Sequence, residues 1–143
     1  MIRTVLRWLL AIFYGLAGVI HLVRPEPFLR IMPDAVPFPY EVVLLTGVAE
    51  LAGAVAIAQP CSPRLRRAGG AALAIYALCV WPANVNHMLL DLRGAMEGPG
   101  LAYHLPRLVI GQPLLIWLAL WTSGCIGART GGTTRAPFRR NPE

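Results

Sequence analysis

Apolar residues fall along this chain in four long runs, divided by short stretches dense in proline, glycine and charge. The runs cover about residues 4–23, 40–58, 68–87 and 105–126. Twenty residues of helix, rising about 1.5 Å each, reach about 30 Å, the hydrocarbon thickness of a bilayer. The pattern predicts an all-α integral membrane protein, a four-helix bundle formed by residues 1–126. The first run follows Arg3 and Arg7 and has the outline of a secretory leader. No small-x-small cleavage pattern closes it and three more runs follow, so it is assigned as a span.

The connections are as informative as the runs. Residues 24–39 hold Pro25, Pro27, Pro33, Pro37 and Pro39, which rules out a continuous helix there. Between those prolines, Phe28, Leu29, Ile31 and Met32 predict a short interfacial helix in the first outer loop. Residues 91–100 form a polar turn, and residues 127–143 predict a basic, disordered cytoplasmic tail. Two prolines lie well inside runs, beyond their first turn. Pro82 and Pro113 predict kinks, because each removes the donor that the carbonyl of Leu78 or Val109 would otherwise receive.

Composition sharpens the picture. Charged residues are only 14% of the 143-residue chain and hydrophobic ones 56%, with a mean hydropathy of +0.56. The net charge of +6 comes from thirteen arginines and no lysine. Nine of those arginines fall before or at the start of the first run, between the second and third, or after the fourth; four fall in the other two connections or at the start of the fourth run. Membrane proteins keep the basic excess inside, so both termini are expected in the cytoplasm of a bacterial inner membrane. Topology accounts for the charge, and nucleic acid is excluded as a partner. Cys61, Cys79 and Cys125 form no CxxC pair, so a thiol-exchange role is not expected.

Against this apolar background Glu50 stands out. A charged group at the bilayer centre costs roughly 2.5–3.5 kcal/mol on insertion scales. At helical spacing it shares a face with Thr46, Gly47, Gly53 and Ala54, small residues that let a neighbouring helix approach. Gly47 and Gly53 are therefore assigned to helix packing. Tyr14 and His21 share a face of the first run, Asn84 and His87 a face of the third, and Gln112 lies early in the fourth. All fall in the outer half of the predicted bundle. Three readings stay open for this set: a ligand-binding or proton-handling cavity, a pair that locks helix register, and an interface with a partner subunit. Haem ligation by His21 and His87 is a further alternative, disfavoured because histidines near helix ends are usually hydrogen-bonded there. No metal site is expected, and no Walker loop, dinucleotide fingerprint or Gly-x-Ser-x-Gly elbow is present.

Gly18-Val19-Ile20-His21, Pro27-Phe28, Ile31-Met32-Pro33, Gly47-x-x-Glu50-x-x-Gly53 and Trp81-Pro82-Ala83-Asn84 with Met88 occur in that order. Over about residues 10–90 the series resembles the DoxX-like family of small bacterial membrane proteins. The resemblance implies a four-helix bundle in the cytoplasmic membrane, associated with quinol oxidase, thiosulfate–quinone and redox-stress complexes. His21, Glu50, Pro82 and Asn84 are the positions that carry over. It implies a quinone as candidate ligand and an accessory subunit rather than a stand-alone enzyme, with redox-complex subunits, further copies of the chain and the lipid bilayer as partners. A small-molecule or proton-coupled transport unit and a structural or assembly subunit are the alternatives.

Overall fold

A computed structural model describes residues 1–127; the predicted tail lies, apart from Gly127, outside the described residues. Within them the chain is all-helical, with no strand. Four helical stretches are long and apolar enough to cross a membrane: Ile2–Val23, Pro39–Ala58, Pro63–Leu92 and Leu101–Ser123. Helix α1 is Ile2–Val23, α2 is the single turn Glu26–Leu29, and α3 is Pro39–Ala58. The third stretch divides into α4, Pro63–Cys79, and α5, Trp81–Leu92. The fourth comprises α6, Leu101–Pro106, a π-helical turn over Arg107–Gly111, and α7, Gln112–Ser123.

Local sequence sets most of these limits. Residues before proline avoid the helical region: Arg24 precedes Pro25 with φ −137° and ends α1, and Gln59 precedes Pro60 with ψ 142° and ends α3. The Gln59 side chain then ties the tight turn to α4, donating to the carbonyls of Ala56 (3.0 Å) and Ser62 (2.9 Å). Ser62 caps α4 by accepting from the Leu65 N–H at 3.2 Å, with Pro63 in the first helical position. This cap starts α4 ahead of the sequence-predicted span at residue 68. Gly124 ends α7 in the left-handed conformation, φ 92°, and the Cys125 N–H bonds back to the Leu120 carbonyl at 2.9 Å.

The two in-span prolines act differently. At Pro82 the helix stops, with Val80 between α4 and α5, so the span predicted over 68–87 is two segments reaching to Leu92. Before Pro113 the helix widens instead: the Gln112 N–H bonds to the Arg107 carbonyl five residues back. The missing proline donor is absorbed by one loose turn rather than by a break. The fourth stretch thus begins at Leu101, ahead of the expected residue 105, and ends at Ser123, inside the limit expected at residue 126.

Helix α1 packs on α3, α3 on α4, α4 on α7, and α7 returns to α1. Small residues make these approaches possible. A Cβ on Gly18 would lie 2.7 Å from the Gly47 carbonyl oxygen, and one on Gly70 would lie 2.6 Å from that of Ala119. Gly53 lies against Leu73 and Gly69 against Ala56. Leu10, Tyr14, Ala54, Ile57, Leu73 and Ala119 form the packed interior. Outward positions such as Leu9, Phe13, Leu16, Leu45, Val109 and Leu114 are large, apolar and exposed. A surface of large apolar residues around an interior that holds Glu50, His21, His104 and Gln112 inverts the soluble pattern, as a lipid solvent requires.

Valine at Gly70 would drive into the Ala119 carbonyl and Ser123. We expect Gly70→Val to destabilise by about 1–3 kcal/mol, seen as a lower thermal-unfolding midpoint in detergent. Leu45→Met, on an exposed face, should leave that midpoint unchanged.

Candidate functional site

Glu50 lies in the middle of α3, one turn beyond Gly47, and its side chain is buried. The Gly18–Gly47 approach brings α1 against that turn, so the next inward-facing residue of α1, His21, meets it. His21 Nδ1 lies 2.9 Å from Glu50 Oε2 and also 2.9 Å from the carbonyl oxygen of Ala17. One N–H cannot point along both directions. It aligns with Ala17, and Glu50 Oε2 is left without an aligned hydrogen-bond partner among the described residues. The Ala17 carbonyl thus holds a proton on Nδ1 and fixes the tautomer. The carboxyl oxygen facing that nitrogen therefore keeps a free lone pair, and a second proton on the imidazole goes to Nε2.

Two phenols complete this cluster. Tyr14 is buried one turn before Gly18, with a hydroxyl that has no hydrogen-bond partner among the described residues. Its ring packs edge-on against Tyr76 of α4, with centroids 6.1 Å apart. The Tyr76 side chain approaches both Glu50 and Thr46. Above the pair, Phe28 of α2 stacks on the imidazole, with centroids 3.6 Å apart and planes 20° from parallel. Acid, imidazole and phenols from α1, α3 and α4 therefore share one interior, covered by an aromatic ring from the first connection.

Asn84 and His87 lie elsewhere. The helix break at Val80 carries them onto α5, where both meet Arg107 at the start of the π-helical turn. Arg107 Nη2 donates to Asn84 Oδ1, and Nη1 lies 3.2 Å from His87 Nδ1. His87 packs edge-on to His104, with centroids 4.7 Å apart. His104 is fully buried, and its Nε2 lies 2.9 Å from Asp91 Oδ2, which also accepts from the Gly100 N–H at 2.7 Å. Gly100 has φ 76°, a backbone state glycine adopts without strain. This second network fastens α5, the 93–100 turn and α6 to one another.

Gln112 has a third environment. Its Nε2 donates to the Ala77 carbonyl at 3.1 Å, serving the backbone where α4 ends. Of the six candidate polar residues, the structure gathers Tyr14, His21 and Glu50 and parts them from Asn84, His87 and Gln112. His21 and His87 belong to different clusters with different partners, an arrangement that does not suit two axial ligands of one haem. Among the described residues no group of three or more His, Cys, Asp or Glu has the arrangement to hold a metal ion.

The residues missed by sequence reasoning had partial signals. Asn84, His87 and Asp91 stand at i, i+3 and i+7, and His104 and Arg107 at i and i+3, so each set marks one helical face. Reading residues 91–100 as a polar turn and starting the fourth span at residue 105 hid that pattern. Phe28 belongs to the predicted interfacial turn and Tyr76 shares a helical face with Asn84 and His87 in the sequence, but neither position signals a contact with His21 or Glu50.

Residues 10–122 match a family described as a domain of unknown function (DUF8561). No curated protein and no solved structure matches the chain.

The guanidinium of Arg107 serves two acceptors at once. Arg107→Ala leaves the half-buried Asn84 Oδ1 and His87 Nδ1 without it, and since an unmet fully buried polar group costs about 1–3 kcal/mol, the loss here falls toward the lower end. A lowered unfolding midpoint is expected, and Arg107→Lys should not restore it, because an ammonium lacks the planar fork.

Proposed function

The chain belongs to the DUF8561 family, and we propose that it is a small accessory subunit of a membrane redox complex, whose buried His21–Glu50 pair handles protons for a bound quinone headgroup. In this reading it is a four-helix bundle of a bacterial cytoplasmic membrane with both termini inside. The arginine distribution supports that orientation, with nine residues on one side and four on the other. The redox assignment is supported by the resemblance of its His21, Glu50 and Pro82-Ala83-Asn84 segments to the DoxX-like pattern.

One observation carries the reading. A carboxyl and an imidazole from different helices lie 2.9 Å apart in a buried site, the facing Glu50 Oε2 has no donor aligned on it, and the Tyr14 hydroxyl beside them has no hydrogen-bond partner among the described residues. Such capacity suits a ligand edge that both accepts and donates. Tyr14 offers a donor to a carbonyl, and Glu50 Oε2 an acceptor to a hydroxyl. A quinone, when bound, supplies two-electron chemistry coupled to two protons. The chain's part is to hold the headgroup and to take or give a proton at His21 Nε2, with the charge balanced by Glu50. Phe28 covers the imidazole, so in this reading its ring yields as the headgroup arrives.

A structural reading has its own support, since the pair sits one turn from the Gly18–Gly47 contact and would fix the register of α1 on α3. Equilibrium binding of a short-chain ubiquinone analogue to the detergent-purified protein, read by quenching of intrinsic fluorescence, separates the two. Glu50→Gln and His21→Ala should each weaken binding at least tenfold, about 1.4 kcal/mol, with the unfolding midpoint nearly unchanged. Unaltered binding in both variants rejects the proton-handling site, and a collapsed midpoint in both assigns the pair to register.

A further inference from the structure

The end of the molecule opposite His21 is built from cations. Arg3 and Arg7 open α1 and Arg66 lies in the first turn of α4, all three partly buried, whereas Arg64 and Arg67 are exposed. Arg3 and Arg66 lie close enough to Arg7 for their charges to act on it. None of these guanidiniums is in an ion pair among the described residues. The acids of the described chain lie in the other connections, at the start of α3, late in α5 or at Glu50 in mid-span. Arg3 is occupied by the ring of Trp121, 5.6 Å from its centroid. Arg7 has no comparable neighbour, and its Nε is buried without a hydrogen-bond partner. Like charges brought together and half-withdrawn from solvent call for a counter-anion.

A groove of about 460 Å³ runs along α3 toward this end, lined by Val48, Leu51, Ala52, Val55, Ala56 and Leu65. Its walls are aliphatic throughout, so it has nothing to offer a polar solute. It ends at Leu65, the residue before Arg66. An apolar trough that runs toward the end holding an uncompensated guanidinium pair fits a molecule with a hydrocarbon chain and an oxyanion at its end. Arginine suits a phosphate in particular, because two parallel N–H donors match two phosphate oxygens. We propose that this face is a binding site for one anionic phospholipid, its phosphate held between Arg7 and Arg66 and one acyl chain laid in the α3 groove.

Native mass spectrometry of the full chain, titrated in detergent with phosphatidylglycerol or phosphatidylcholine, tests the site. One phosphatidylglycerol should be retained at least tenfold more strongly than phosphatidylcholine. The Arg7→Gln/Arg66→Gln double variant should lose that preference, and Arg64→Gln/Arg67→Gln should keep it. Val55→Trp fills the groove from an exposed position, so it tests the site even if the first double variant does not fold, and it should weaken retention at least fivefold. Equal retention of the two lipids, equal loss in both double variants, or full retention by Val55→Trp would each overturn the proposal. So would competition by millimolar inorganic phosphate, which would mark a site for the free ion.

Discussion

The approach of α1 to α3 at Gly18 and Gly47 is the constraint on which the rest of this molecule depends. In lipid there is no hydrophobic gain from bringing two apolar helices together, so close packing and polar contacts must hold them. Here the backbones come so near that neither glycine has room for a Cβ. That proximity brings His21 within reach of Glu50, and it sets the Tyr14 hydroxyl near the same carboxyl. A helix pair separated by ordinary side chains would leave the acid facing an imidazole it could not touch. The site is thus a product of what α1 and α3 lack at their crossing.

Interruptions in the other two membrane-length stretches divide the polar interior. Continuous helix through residues 63–92 would have carried Asn84 along the face that bears Tyr76. The stop at Val80 frees α5 to lie with α6 instead, and Asn84, His87 and Asp91 find Arg107 and His104 there. The backbone carbonyl exposed at the end of α4 is met by Gln112, which the widened turn delivers to it. The second network holds the broken segments together, with His104 Nδ1 its one buried polar atom without a partner among the described residues; the first cluster has two, the Tyr14 hydroxyl and Glu50 Oε2.

Much of the architecture was legible in the sequence, because bilayer thickness imposes a length on apolar runs and proline punctuates them. The membrane-length helices, the lone acid of α3 and the packing glycines follow from one-dimensional pattern. What was not legible follows from the consequences of proline in three dimensions. Pro82 and Pro113 remove the same donor, yet one ends a helix and the other loosens a turn, and only the surrounding contacts decide which. Since the placement of Asn84, His87 and Gln112 depends on that outcome, spacing alone could not separate them from His21. Arg107 shows the same limit: counted as a loop charge, it lies within the helical stretch and anchors a network there.

The loose turn over Arg107–Gly111 accommodates one residue more than a regular turn, and at 3.6 residues per turn one residue is about 100° of rotation. The stretch before it and the stretch after it are therefore out of phase as amphipathic surfaces. His104 and Arg107 address α5, while Gln112, Ala119 and Ser123 address α4. A single rod of uniform pitch would have to choose between those neighbours. By slipping phase once, this one serves both.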